Sequence, residues 1–134
     1  MSTKSVILVT GADLAAPAVD LLKDYEIIYA GKTPQTEDVI ALCKQHNPVG
    51  VIVRYGKFTA EMMDAAPNLK VISKHGSGTD TIDKTAAQQR AIAVVAAAGA
   101  NAAAVAEHAL SLLLACAKAT VHLNDRMHSG HWDK

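Results

Sequence analysis

Two short stretches gather the side chains best suited to holding an anion: Arg54-Tyr55-Gly56-Lys57 and Lys74-His75-Gly76-Ser77-Gly78. Arginine grips a carboxylate or phosphate through parallel N–H bonds, and lysine adds a compact point charge. Gly76 and Gly78, on either side of Ser77, let the backbone turn sharply and leave its N–H groups uncovered by Cβ atoms. Such a nest suits a carboxylate, helped by the positive end of a helix expected to begin near Asp83. The same spacing also fits a plain strand-to-helix turn, and each cation taken singly fits a solvated loop residue. It is not a dinucleotide fingerprint, because the third glycine of GxGxxG is missing.

A third loop, Ala96 to Asn101, ends just before a long apolar segment. Asn101 fits an N-cap accepting an N–H from Ala103 or Ala104, and its amide is also placed to face a ligand. Glu107 and His108 are consecutive, so on a helix they point in different directions and cannot form a facing dyad. Cys43 and Cys116 sit in apolar helical patterns without CxxC spacing or a nearby His, which makes both reduced core thiols. No catalytic residue and no metal site is assigned to the chain.

The elements that must position these loops alternate regularly. Ser5–Thr10, Glu26–Ala30, Val49–Val53, Leu69–Ser73 and Ala91–Val95 are short β-branched runs that read as strands. Ala15–Asp24, Thr36–His46, Thr59–Ala66 and Lys84–Arg90 read as amphipathic helices, with Thr36, Thr59 and Asp83 as N-caps. Repeated strand, helix, strand implies right-handed crossovers and a parallel sheet covered on both faces. Five such units predict a flavodoxin-like α/β doubly wound sheet of order 2-1-3-4-5. In that order the third and fourth strands are neighbours, and ligands bind at the carboxyl ends, where the two cationic loops lie.

Length and charge bound the function. With 134 residues the chain is one domain's worth, and 50% hydrophobic with only 4% aromatic residues implies a core of Val, Ile, Leu and Ala. Thirteen basic and thirteen acidic residues cancel, which argues against nucleic acid or an anionic membrane as partner. The N-terminal apolar run is too short for a secretory signal, so the expected location is cytoplasmic. Ala102–Val121 approaches membrane-spanning length but carries Glu107, His108 and Lys118 and is mostly alanine, which favours a buried soluble helix. Its apolar residues surround the helix, so a single sheet cannot cover it, and another domain or subunit is expected to.

Asn68-Leu-Lys-Val-Ile-Ser-Lys-His-Gly-Ser-Gly-Thr-Asp-Thr-Ile-Asp83, followed by Gly99-Ala-Asn-Ala-Ala-Ala-Val-Ala-Glu-His-Ala-Leu110, resembles the D-isomer-specific 2-hydroxyacid dehydrogenases. That family includes phosphoglycerate dehydrogenase, glyoxylate and hydroxypyruvate reductases, D-lactate dehydrogenase and formate dehydrogenase. The resemblance runs to the final His-Ser-Gly-His-Trp132. It implies a substrate-binding domain over residues 1–100, then an interdomain and dimerisation helix over 101–134 leading to an NAD-binding Rossmann domain beyond Lys134. The family's catalytic Arg, Glu and His belong to that second domain, so this chain alone is expected to be inactive. The implied parent enzyme transfers hydride between NAD(H) and a small D-2-hydroxy or 2-oxo acid, as a homodimer through the 102–121 helix.

By the same resemblance the backbone of His75, Gly76, Ser77 and Gly78 is the carboxylate cradle. Arg54, Tyr55, Gly56 and Lys57 form a substrate wall, and Asn101 is a cofactor-binding residue near the nicotinamide. Two positions depart from the family pattern: Lys74 stands where many members have Arg, and Ala98 where many have Pro. The competing reading is a stand-alone carboxylate-binding or regulatory module without catalysis. A phosphorylation receiver of similar topology is disfavoured, because Arg54 ends the third strand where that class needs an Asp.

Overall fold

The computed structural model describes residues 4–132. Elements follow in the order β1 (Val6–Val9), α1 (Ala16–Leu21), β2 (Glu26–Tyr29), α2 (Thr36–His46), β3 (Gly50–Val53), α3 (Ala60–Asp64), β4 (Val71–Lys74), α4 (Lys84–Gln89), β5 (Ala93–Ala96), α5 (Ala102–Ala117) and α6 (Thr120–His128). They divide into two compact units, residues 1–98 and 99–134.

In the first unit the five strands are all parallel, in the order β2-β1-β3-β4-β5. This is the flavodoxin-like arrangement that the strand spacing predicts. Its central strands carry the core: Leu8, Val9, Val51, Val53 and Ile72 are essentially buried, with Val39, Cys43, Phe58, Met62 and Met63 supplied by the helices and loops. Continuous Val and Ile runs suit strands covered on both faces.

Helix starts follow local hydrogen-bonding chemistry. Asp83 caps α4 by accepting the Ala86 N–H at 2.9 Å. Thr59 occupies the N-cap of α3, though its hydroxyl makes no capping bond. Thr36, expected as a cap, is instead the first residue of α2; Gln35 is the cap, and its N–H donates to the Asp38 carboxylate at 3.3 Å. The carboxylate three residues in satisfies a backbone donor that a threonine hydroxyl one residue later cannot reach. At the amino ends of the strands, Arg90 forks onto Asp64 at 2.7 and 3.0 Å, which holds the Asp64 carboxyl below the usual carboxylate range.

The second unit differs from expectation. A single helix from Ala102 to Val121 is replaced by two, α5 and α6, meeting at a 59° bend. The break sits at Ala119, whose φ of 48° is left-handed, and the Ala119 N–H turns back to Cys116 O, closing the last turn of α5 tightly. Residues from His122, beyond the end of the helix expected over Ala102–Val121, form most of α6. No residue of α5 is buried, and Val105, Leu110, Leu112, Leu113 and Leu114 are all exposed. Among the described residues no single helix is long and apolar enough to cross a membrane; α5 and α6 reach that length only together and across the bend.

The two thiols therefore differ. Cys43 is buried, as expected, and burial pushes its pKa up to about 11. Cys116, also expected in the core, is exposed on α5, a helix with no buried residue. Brief treatment with iodoacetamide at neutral pH should therefore alkylate Cys116 alone, with Cys43 reacting only after denaturant is added. Mass spectrometry of tryptic peptides checks this; equal labelling of both thiols in native buffer would contradict the burial of Cys43.

Candidate functional site at the carboxyl ends of the strands

A parallel sheet delivers the end of every strand to one edge, and in this order β1 and β3 meet where the winding reverses. Thr10, just past β1, is almost fully buried and stitches the two together. Its hydroxyl donates to Tyr55 O at 2.9 Å and accepts the Arg54 N–H at 3.0 Å, while Tyr55 N–H donates to Thr10 O at 3.1 Å. The loop that follows β3 is thus fixed by its neighbour before any ligand arrives.

Arg54 is held along its length. A Cβ on Gly11 would stand 2.9 Å from the arginine Cδ, so glycine there leaves room for the side chain to cross. Nη1 donates to Asp13 O at 2.6 Å and to the Asp13 carboxylate, and the guanidinium carbon lies 5.4 Å from the centroid of the Tyr55 ring. Nε is buried and has no partner among the described residues. Lys74, opposite Val53 in the register, brings its Nζ to 3.4 Å from Arg54 O. The expected meeting of the β3 and β4 loops does occur. Lys57 and His75 are exposed.

The loop after β4 separates its two glycines. Gly76 has φ of +141°, a conformation closed to most side chains, whereas Gly78 is not in the left-handed region. The His75 N–H is spent on Val53 O at 3.0 Å, and Gly76 O accepts from Ala97 at 3.0 Å. The N–H groups of Ser77 and Gly78 have no acceptor among the described residues, and both residues are exposed. The Gly76 N–H likewise has no acceptor among the described residues, so within the four-residue stretch only the His75 N–H is spent, and Gly76 also sets the turn. Asp80 approaches the same loop, its Oδ2 3.4 Å from where a Gly78 Cβ would lie.

Asn101 belongs to the second unit. It stands at the N-cap of α5, but its side chain makes no capping bond; with φ of −113° and ψ of 10° the residue lacks the extended backbone of a typical N-cap.

Thr10, Gly11 and Asp13 went unnoticed in the sequence, as did a cleft of about 430 Å³ lined by Lys32, Thr33, Pro34, Gln35, Tyr55 and Gly56. The available signal was the strand order itself, which sets the ends of β2 and β3 on either side of β1. Among the described residues no group of three or more His, Cys, Asp or Glu gathers as a metal site.

Residues 6–128 match the model of the D-isomer specific 2-hydroxyacid dehydrogenase family, catalytic domain. The chain belongs to this family. It is 34% identical over 122 residues to D-3-phosphoglycerate dehydrogenase of Archaeoglobus fulgidus, covering 90% of this chain and 23% of that protein. It is 40% identical over 78 residues to hydroxypyruvate reductase of Thermotoga maritima, covering 58% of this chain and 26% of that protein. Among solved structures, NAD+-bound 3-phosphoglycerate dehydrogenase of Entamoeba histolytica superposes with a TM-score of 0.67 at 31% identity, covering 84% of this chain and 39% of that one.

The chain thus spans about a quarter of the length of these curated relatives. Its described residues hold one sheet, that of the catalytic domain, and not the Rossmann domain. They do not by themselves fit a dinucleotide: the glycine loop lacks the third glycine, and β5, the next strand, ends on Ala96, where a ribose would need an acidic residue.

Proposed function

We propose that this chain binds the carboxylate of a small 2-hydroxy or 2-oxo acid. In this reading it is the substrate-binding part of an enzyme that moves a hydride between NAD(H) and that acid, with glyoxylate, hydroxypyruvate and 3-phosphoglycerate as example substrates. The observation that carries the reading is that the Arg54 loop and the loop holding the uncommitted Ser77 and Gly78 N–H groups leave neighbouring strand ends, with Lys74 Nζ 3.4 Å from Arg54 O. The N–H pair accepts one carboxylate, Tyr55 and Gly56 wall the substrate, and Arg54 and Lys74 supply positive potential. NAD would supply the hydride chemistry when bound, and Asn101 would be one of the residues that contact it.

Charge-assisted hydrogen bonds contribute about 1.5–3 kcal/mol each, and association costs several. A dissociation constant on the order of 1 mM is the balance. NMR titration of the chain with glyoxylate tests it: the Ser77 and Gly78 amides should shift most and saturate. Shifts confined to other loops, or none by tens of millimolar, would remove the reading.

The same reading makes the chain cytoplasmic, residues 1–100 the substrate domain and 101–134 the connecting and dimerisation segment. The exposed leucines of α5 support it, since apolar patches of this kind rarely stay open to water. Sedimentation velocity should show concentration-dependent self-association, reduced by Leu113→Glu. A strictly monomeric wild-type chain at high concentration would count against the dimer.

A further inference from the structure

The two cations at the strand ends are committed to opposite sides of β3. Arg54 meets the β1 side, where Asp13 takes its Nη1, and its Nε is buried without a partner among the described residues. Lys74 belongs to the β4 side. It ends β4 directly before the His75–Gly78 loop, and its stem crosses that loop: the Lys74 Cε lies 4.0 Å from where a Gly76 Cβ would be. The ammonium is one C–N bond further on, about 1.5 Å, which keeps it within about 5.5 Å of that point. Its Nζ donates to Arg54 O at 3.4 Å, beyond the usual range for such a bond, so it is held loosely. An ammonium carries three donors, and Arg54 O takes one.

We propose that Lys74 is a ligand-binding residue that clamps the acid between the two loops: one ammonium N–H stays on Arg54 O while another meets the carboxylate held by the loop N–H groups. This rests on the carboxylate-binding reading above and deepens it by assigning the ionic contact to Lys74 and not to Arg54. The contact is a charge-assisted hydrogen bond, about twice as strong as a neutral one. Arg54 O and the Tyr55 N–H belong to one peptide group, so a ligand that draws on the ammonium also changes the surroundings of the Tyr55 amide, one strand away from the loop that holds it.

The test is NMR titration of wild type, Lys74→Met and Lys74→Arg with glyoxylate, each protein first checked for an intact melting transition. In wild type the Tyr55 amide should shift together with those of Ser77 and Gly78 and with the same dissociation constant. Lys74→Met keeps a stem over Gly76 and removes the charge; it should bind about tenfold more weakly and lose much of the salt dependence. Lys74→Arg keeps the charge and should stay within about threefold of wild type. A silent Tyr55 amide in wild type, undiminished affinity in Lys74→Met, or equal losses in both variants would overturn this proposal and leave the carboxylate-binding reading standing. If the Ser77 and Gly78 amides did not respond in wild type, that reading would fall first and this one with it. Should Lys74→Met fail to fold, the wild-type Tyr55 response and the affinity of Lys74→Arg decide.

Discussion

Phe58→Ala should lower the stability of residues 1–98 by about 3–5 kcal/mol, the usual loss when a fully buried phenylalanine is truncated. Phe58 is the chain's one phenylalanine and is completely buried in the cluster that includes Met62, Met63 and Ile82. Its backbone is equally committed: the Phe58 N–H donates to Thr81 O at 2.8 Å, and Phe58 O accepts from Asp83 at 3.1 Å. The residue pairs with Ile82 as an isolated parallel bridge. It therefore ties the end of the Arg54–Lys57 loop to the end of the Gly76–Asp80 loop. A domain of this size has only about 5–15 kcal/mol in hand, so the variant should melt at least about 12 °C lower. Urea and thermal denaturation followed by circular dichroism measure this. Tyr55→Ala, which truncates a half-exposed ring in the same loop, should change stability by no more than about 1 kcal/mol. Similar losses in the two variants would mean that Phe58 is not the clamp described.

The sheet was readable because its evidence is local and repeated. Each β-branched run is bracketed by turn residues, and parallel crossovers leave few ways to order five strands. The ends of the strands drifted: β4 was read from Leu69 but begins at Val71, because pairing with Gly50 on β3 decides where the ladder starts. The Arg54 and Gly76 loops were readable by residue type. Asp13 was not, since its contact with Arg54 bridges 41 residues and exists only because β1 and β3 are neighbours. The bend at Ala119 left no glycine or proline to announce it. Cys116 was misjudged for a further reason: apolar neighbours in sequence do not by themselves establish that a helix is covered within the chain.

Gly76→Val should weaken carboxylate binding by about tenfold or more. At φ of +141° a β-branched side chain clashes with its own backbone, at a cost of about 1–3 kcal/mol. The loop relieves that strain by turning the peptides that follow, which are the ones carrying the Ser77 and Gly78 N–H groups. Ser77→Ala is the informative partner, because it removes a hydroxyl and keeps the main-chain donor, and most of the affinity should survive. Gly78→Ala separates conformation from occlusion. Its backbone is not left-handed, and the added Cβ meets Asp80 Oδ2 at an ordinary 3.4 Å, so the fold should be untouched and any loss of binding would report a methyl covering the nest. Amide titrations with glyoxylate across the three variants, each first checked for an intact melting transition, provide the comparison. Should Ser77→Ala damage binding as much as Gly76→Val, the hydroxyl would be the donor and the backbone mechanism would be wrong.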